Sequence, residues 1–416
     1  MAVACRRRSG GTITRARRCT LSAETFDHAA PAGAGPVPRW RAALHRAAPA
    51  LGLFAAARLT GMAVMALWAW HIGRSPRALL AMSWDSDWYL RIAAHGYGKV
   101  LHWPGGVVQS DLAFFPLYPG LVRGVSTVLP VAGGTAGLLV SWTAAGAAAW
   151  GIHLIGERLH GRAVATALVL LWGLLPHSIV LSMAYTEPLL TAFAAWSLYA
   201  VLTRRWLSAG VLAALAGASR PNGIAVAAAV VAAAAYEGYL LLRRRREPLR
   251  SDRRIWAAAA LAPAGWLGYV LWVGTREGDP LGGYFAVQKG WTSRFDFGAG
   301  TLRFVRTIVT RPMDLGFTMA LLLTGAGVLL FALFLLDRPP LPLLVYTAVL
   351  VLIAVGGSGF FESKPRFLLP AFPLLLPLAC ALRKARPRAA VMVIAALAGL
   401  SFAYGTYVLT VAEMAL

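Results

Sequence analysis

Apolar runs of spanning length recur from residue 48 to the C-terminus of this 416-residue chain. About 20 apolar residues are what an α-helix needs to cross the hydrocarbon core of a bilayer. Inside that core every backbone N–H and C=O must be satisfied within the protein, which leaves helices as the element these runs can form. Candidate spans begin near residues 48, 134, 163, 186, 206, 222, 255, 314, 341, 366 and 388. The expected fold is therefore an all-α polytopic membrane protein with about eleven transmembrane helices. Charged residues are 14% of the chain, against roughly 25% for a soluble globular protein.

The net charge of +23 does not point to nucleic acid. Nine arginines precede residue 47, and most other basic residues flank apolar runs, as cytoplasmic loops require. The first 47 residues are rich in Arg, Ala and Pro and lack periodicity, so they read as a disordered cytoplasmic tail. The apolar run that follows is long enough to be an uncleaved first helix. The remaining residues, 48–416, form one membrane domain. Cys5, Cys19 and Cys380 form no evident pair, and no CxxC or HExxH pattern occurs. The sequence demands no metal, although a divalent cation is compatible with it.

Six basic clusters set the orientation: the tail, ERLHGR (157–162), RRW (204–206), RRRREPLRSDRR (243–254), DRPP (337–340) and RKARPR (383–388). One alternation of spans puts all six in the cytoplasm, provided that FFPLYPGLVRGVSTVLP (114–130) does not cross. Its early prolines favour a re-entrant or interfacial element. Residues 71–133 then form a first extracytoplasmic loop and re-entrant segment, and residues 276–313 a second large extracytoplasmic loop. The same alternation sends WDSDW (84–88), FFPLYP (114–119), YTEP (185–188), SRPNG (219–223), the loop 278–296 and ESKPR (362–366) to the extracytoplasmic side. Polar and ionisable groups at membrane depth are costly and mark working sites, so these six segments predict one site on that face.

Trp84 to His95 lacks Pro and Gly, and Trp84, Trp88 and Ile92 fall on one helical stripe. That predicts a short amphipathic helix on the membrane surface. Asp87 and Arg91 are i,i+4 partners on it. Asp85 has no basic residue at helical spacing and is either the helix N-cap or a general base. Glu187, before Pro188, is a first-turn helix residue or a ligand contact. Arg220 and Asn222 sit at a helix break, where membrane proteins expose donors to ligands. Lys289, Arg294, Lys364 and Arg366 place positive charge outside, as headgroup contacts or as holders of a phosphate. His95 is a helix C-terminal cation or a site contact.

WDSDWYLRIAAHGY (84–97) followed by LAFFPLYP (112–119) resembles the bacterial relatives of the PIG-V mannosyltransferases. The shared pattern is an aromatic-Asp pair, then IA-x-HGY, then AFFP-x-[YF]P. AYTEP (184–188) and SRPNG (219–223) are similar to the family's Tyr-x-Glu and Arg-x-Asn-Gly elements. The resemblance implies a GT-C-class membrane glycosyltransferase bundle with extracytoplasmic loop helices. It also implies a polyprenyl-phosphate sugar donor and mannose as the sugar. Asp85 matches the essential aspartate of the first external loop. His95 and Tyr97 of HGY, Glu187, Arg220 and Asn222 fall in the matched motifs and are candidate substrate contacts. Asp87 falls where the family is less regular and is counted only as a neighbouring contact. The eukaryotic acceptor, a GPI precursor, does not carry over to this Ala-, Arg- and Gly-rich sequence.

No Gly-rich nucleotide-binding motif is present, so an external transferase needs a lipid-linked sugar and a lipid or glycan acceptor. Asp85 would accept the proton of the acceptor hydroxyl while polyprenyl phosphate leaves from the opposite face, inverting the anomeric centre. Arg220, Lys364 or Arg366 would stabilise the leaving phosphate. The competing class is a transporter or flippase of a lipid-linked or anionic substrate. The clustering of polar residues at one face, not mid-membrane, and the lack of an internal repeat disfavour it.

Overall fold

A computed structural model describes residues 39–244 and 253–412. Cys5, Cys19, the tail before Arg39 and the middle of the basic stretch 243–254 lie outside the described residues. The chain divides into two units, Met1–Ala42 and Ala43–Leu416. Of the first, only residues 39–42 are described, as the opening turn of α1. The expected tail extended to residue 47, yet α1 already begins at Arg39. RWRAALHRAA is rich in Ala and Arg, which are strong helix formers.

The helices in chain order are α1 (Arg39–His71), α2 (Pro76–Met82), α3 (Asp85–His95), α4 (Leu117–Val128), α5 (Gly133–His160), α6 (Arg162–Gly173), α7 (Glu187–Leu202), α8 (Trp206–Ser219), α9 (Ile224–Arg244), α10 (Arg253–Leu261), α11 (Ala264–Arg276), α12 (Gly283–Gly290), α13 (Ala299–Thr310), α14 (Leu315–Leu336), α15 (Leu341–Gly356), α16 (Lys364–Leu368), α17 (Leu376–Lys384) and α18 (Pro387–Thr410). The strands β1 (Val100–Trp103) and β2 (Val107–Ser110) form an antiparallel hairpin, and β3 (Arg294–Phe295) pairs with β4 (Gly357–Ser358). The architecture is that of an all-α polytopic membrane protein.

Six helical segments are long and apolar enough to span: Trp40–His71, Gly133–His160, Pro221–Leu241, Arg253–Arg276, Leu315–Leu336 and Pro387–Thr410. The pair Phe361–Leu368 and Phe372–Lys384, bent by 77°, is a seventh if it counts as one broken span. The expected eleven is not reached by length. The other four candidates are α6, α7, α8 and α15, of 12, 16, 14 and 16 residues. At 1.5 Å per residue these cover roughly 18–24 Å of a hydrocarbon core about 30 Å thick. Much of their apolar surface meets protein instead of lipid. From Glu187 to Val201 nearly all of α7 is buried, between α5, α8 and α9. Helix α4, over the segment not expected to cross, has 12 residues.

The bundle has two chemically different ends. Near the start of helix α5, Gly137 lies against Ala184 and the Tyr118 hydroxyl, and the helix finishes about 35 Å further on at His160. There Glu157 pairs with Arg46 at 3.0 Å. Helices α7 and α8 run down from Glu187 and back up to Ser219, so Arg204 and Arg205 lie at the basic end. Arg338 and Arg383 fall at that end too, beyond α14 and in the last turn of α17. The end that carries Asp85, Glu187, Arg220 and Arg366 is the other one.

Candidate functional site

The site is built where helices begin or break. Asp85 is the first residue of α3, and the residue before it, Trp84, has φ 49°. That left-handed value is rare and strained for a bulky residue. It turns the chain sharply from α2 into α3. Asp85 is therefore not the N-cap, one of the two roles open to it from sequence; Trp84 holds that position, without a side-chain cap bond. Glu187 opens α7, with Pro188 in the first turn. Both carboxylates thus sit in helix first turns, where the macrodipole favours negative charge. Arg220 is extended (φ −165°, ψ 154°) between α8 and the short 3-10 turn Pro221–Gly223. A residue before proline is pushed out of the helical region, so SRPN breaks the helix at the arginine. Arg366 lies on α16, also just past a proline.

These four side chains meet. Arg366 Nη1 donates to Asp85 Oδ2 at 2.7 Å, and its Nε lies 3.2 Å from Glu187 Oε1. Arg220 pairs with the same Glu187 oxygen and donates from Nη1 to Thr186 Oγ1 at 3.1 Å. The result is a chain Asp85–Arg366–Glu187–Arg220 of two cations and two anions. Its members differ in burial. The side chains of Glu187, Arg366 and Arg220 are 1%, 7% and 8% exposed, whereas that of Asp85 is 21% exposed. The guanidinium carbon of Arg366 lies over the rings of Tyr185 and Phe367, 5.3 and 5.5 Å from their centroids. Among the described residues, Asp85 Oδ1 has no hydrogen-bond partner.

The surrounding polar contacts hold the frame. The Tyr185 hydroxyl accepts from the Asp85 backbone N–H at 3.3 Å, and Ser86 Oγ donates to the Ala184 carbonyl at 3.0 Å. The Tyr89 hydroxyl lies 3.2 Å from Thr186 Oγ1, so the first half of α3 is stitched to the YTEP turn. Burial raises the Tyr89 phenol well above its ordinary range and keeps it protonated. The apolar stripe expected to rest on the membrane surface packs into protein instead, with Trp84 half-buried and the other two residues buried. Trp88 stacks on Phe114 at 5.6 Å and meets Trp291 edge-on, and Ile92 is also buried.

All six segments expected at one face are joined at this end. Four supply the ion chain or its supports. FFPLYP packs Phe114 and Tyr118 against Tyr89. The loop 278–296 anchors there through Trp291 Nε1, which donates to the Ser110 carbonyl, and Gln288 Nε2, which donates to that of Ala113. The remaining candidates are spread around the site. Asp87 pairs with Arg91 at 2.7 Å, as its spacing predicts, and lies 3.8 Å from Lys99. Tyr97 donates to the Phe114 carbonyl at 2.8 Å, and burial pushes its phenol up to about 12. His95 is exposed at the far end of α3, and Lys289 and Arg294 are exposed on α12 and β3. Lys364 turns away from the chain and donates to the carbonyls of Ala354 and Gly357 at 2.7 and 2.6 Å. Asn222 is buried beside Arg220, with no hydrogen-bond partner for its Nδ2 among the described residues. Among those residues no three His, Cys, Asp or Glu side chains gather as a metal site.

The sequence reading missed Tyr89, Thr186 and Tyr185. Their signal was present: each is a hydroxyl-bearing residue inside or next to a motif already quoted.

No family model matches the chain, and no curated protein matches it in sequence. Among solved structures, it is similar to the oligosaccharyltransferase of Archaeoglobus fulgidus in the apo form, at 14% identity and TM-score 0.48. The similarity covers 86% of this chain and 55% of that one. The same archaeal enzyme with zinc and sulfate gives 13% identity and TM-score 0.46, covering 86% and 54%. Its complex with an inhibitory peptide and a dolichol-phosphate gives 13% and 0.42, covering 86% and 55%. The chain thus spans about half the length of these structures.

Proposed function

We propose that this chain is an integral-membrane glycosyltransferase that moves a sugar from a polyprenyl-phosphate donor to an extracytoplasmic acceptor, with inversion. The observation that supports it most is the ion chain itself, which links a partly exposed carboxylate, Asp85, through the buried Arg366 and Glu187 to the buried Arg220. That arrangement joins a proton acceptor to a phosphate-stabilising field. The acceptor hydroxyl gives its proton to Asp85 as its oxygen bonds to the anomeric carbon. The bond from that carbon to the phosphate oxygen breaks on the opposite face. The leaving polyprenyl phosphate needs charge stabilisation more than a proton, and Arg366 and Arg220 are held in place to provide it. The basic clusters at the opposite end of the bundle support an extracytoplasmic location by the positive-inside rule. Mannose is the sugar implied by the resemblance to the PIG-V relatives.

The test is sugar transfer by purified variants in liposomes, with a polyprenyl-phosphate-mannose donor and an envelope lipid extract as acceptor. Asn is nearly isosteric with Asp, so Asp85→Asn keeps the shape and removes basicity. Loss of a general base lowers the rate by about 10²–10⁴-fold. Asp87→Asn loses an exposed ion pair of about 0–1 kcal/mol and costs far less. Equal rates for Asp85→Asn and wild type would sink the mechanism. Absence of product from the wild type with every polyprenyl-phosphate sugar would remove the reaction class.

A further inference from the structure

The two carboxylates of the ion chain are not equivalent. Glu187 is 1% exposed and touches both arginines. It is a fixed counter-ion, because withdrawing it would leave two guanidinium groups in a buried site with one partner between them. The Asp85 side chain is 21% exposed and, among the described residues, pairs only with Arg366, through one oxygen. It stands at the N-terminus of α3, where the helix dipole supports its charge without a cation. Swinging away from Arg366 requires only a side-chain rotation, since its backbone is held by Tyr185 and its neighbour Ser86 by Ala184.

The charge count gives this asymmetry a consequence. The chain of four is neutral, so an added phosphoester makes it net negative at a poorly solvated site. A guanidinium binds carboxylate and phosphate through the same planar fork of N–H groups. We infer that Arg366 and Arg220 form a phosphoester site in which Asp85 is a displaceable stand-in for the phosphate. On this account the incoming lipid phosphate takes Asp85's place on Arg366, and Glu187 remains as the permanent counter-ion. The displaced carboxylate then has both oxygens free. Lys364, also buried in this region, offers no comparable exchange, because it already donates to two backbone carbonyls.

The inference rests on the glycosyl-transfer reading only for the identity of the phosphoester, and binding tests it without any transfer. Farnesyl phosphate is titrated into the detergent-purified full chain, followed by the fluorescence of its 15 tryptophans, with farnesol as the uncharged control. Asp85→Asn is expected to bind the phosphate about tenfold more tightly than wild type, the equivalent of one charge-assisted contact no longer competed for. Asp85→Ala should shift in the same direction, which covers the case in which the Asn amide oxygen still engages Arg366. Asp279→Asn removes a like charge from a loop at the same end and keeps the cap of the Gly282 N–H; it should bind as wild type does. Arg366→Lys keeps the charge, loses the fork and should bind about tenfold more weakly.

Unchanged or weaker binding by both Asp85 variants overturns the exchange, and so does an equal gain on Asp279→Asn, which would reveal only a bulk field. If Asp85→Asn binds more tightly while the wild type transfers no sugar, the phosphate site stands and the transferase reading falls. If the wild type transfers sugar and the Asp85 variants bind unchanged, the opposite holds. A gain with farnesyl phosphate but none with a soluble phospholipid such as dihexanoyl phosphatidylglycerol assigns the site to the prenyl donor; equal gains assign it to phosphoesters at large.

Discussion

Glu187 is the residue on which the site's electrostatics turn. Its carboxylate lies between two guanidinium groups and is closed to solvent. A buried pair broken on one side costs about 3–5 kcal/mol, because the surviving charge loses its compensation. Glu187→Gln should therefore lower the thermal midpoint of the detergent-solubilised protein markedly. Adding Arg220→Gln to it restores neutrality among Asp85, Arg366 and the two amides, and should recover part of that loss. A double variant less stable than Glu187→Gln alone would show that Arg220 is not held through Glu187. The sequence identified Asp85, Glu187, Arg220 and Arg366 as chemically interesting but not as partners. Asp87 and Arg91 could be paired on paper because they are four positions apart on one helix. Asp85 and Arg366 are 281 positions apart, and no helical periodicity links such residues.

Helix breaks, more than helices, give this site its shape. The turn Pro221–Gly223 folds back on α8 so closely that a Cβ on Gly223 would collide with the Ala216 carbonyl and stand 2.7 Å from Gly217 Cα. The contact is backbone against backbone and has no flexible end to give way. Gly223→Ala should cost about 1–3 kcal/mol, the usual range for overpacking, and shift Arg220 relative to Glu187. Weaker farnesyl phosphate binding and a lowered thermal midpoint are the expected pair of effects. Gly120→Ala on α4 has nothing within 4 Å of its added methyl and should leave the midpoint unchanged or raise it, since Ala is favoured over Gly in a helix by about 1 kcal/mol. Identical behaviour of the two variants would contradict the close-approach argument. These breaks were legible, because proline and glycine act locally: SRPNG and FFPLYP both read as interruptions. The short helices α6, α7, α8 and α15 were not legible as such. An all-apolar run looks the same whether lipid or protein surrounds it, and α7 is apolar because other helices enclose it.

Across the whole molecule, ionised groups gather at the two ends of the bundle. Glu157 gathers Arg46 and Arg162 at the end of α5 remote from Asp85, and Glu237 pairs with Arg204 at the corresponding end of α9. Near the site end the amphipathic helix α13 carries Arg303 and Arg306 on its exposed surface together with Leu302 and Val309. A helix of that composition lies in a headgroup layer. Basic residues therefore occur at both ends, and orientation depends on which set dominates. Short loops close to apolar helices carry the positive-inside signal, and those are the loops at Arg158–Arg162, Arg204–Arg205, Arg338 and Arg383–Arg388. The prediction is that His160→Cys in intact cells is protected from a membrane-impermeant maleimide, while Arg303→Cys reacts. Both side chains are solvent-facing, so burial in protein would not explain protection, and permeabilised cells should label both. Reaction at 160 with protection at 303 would invert the protein. The ion chain would then face the cytoplasm, where nucleotide sugars are present, and the argument for a lipid-linked donor would lose its premise while the phosphoester site at Arg366 and Arg220 kept its own.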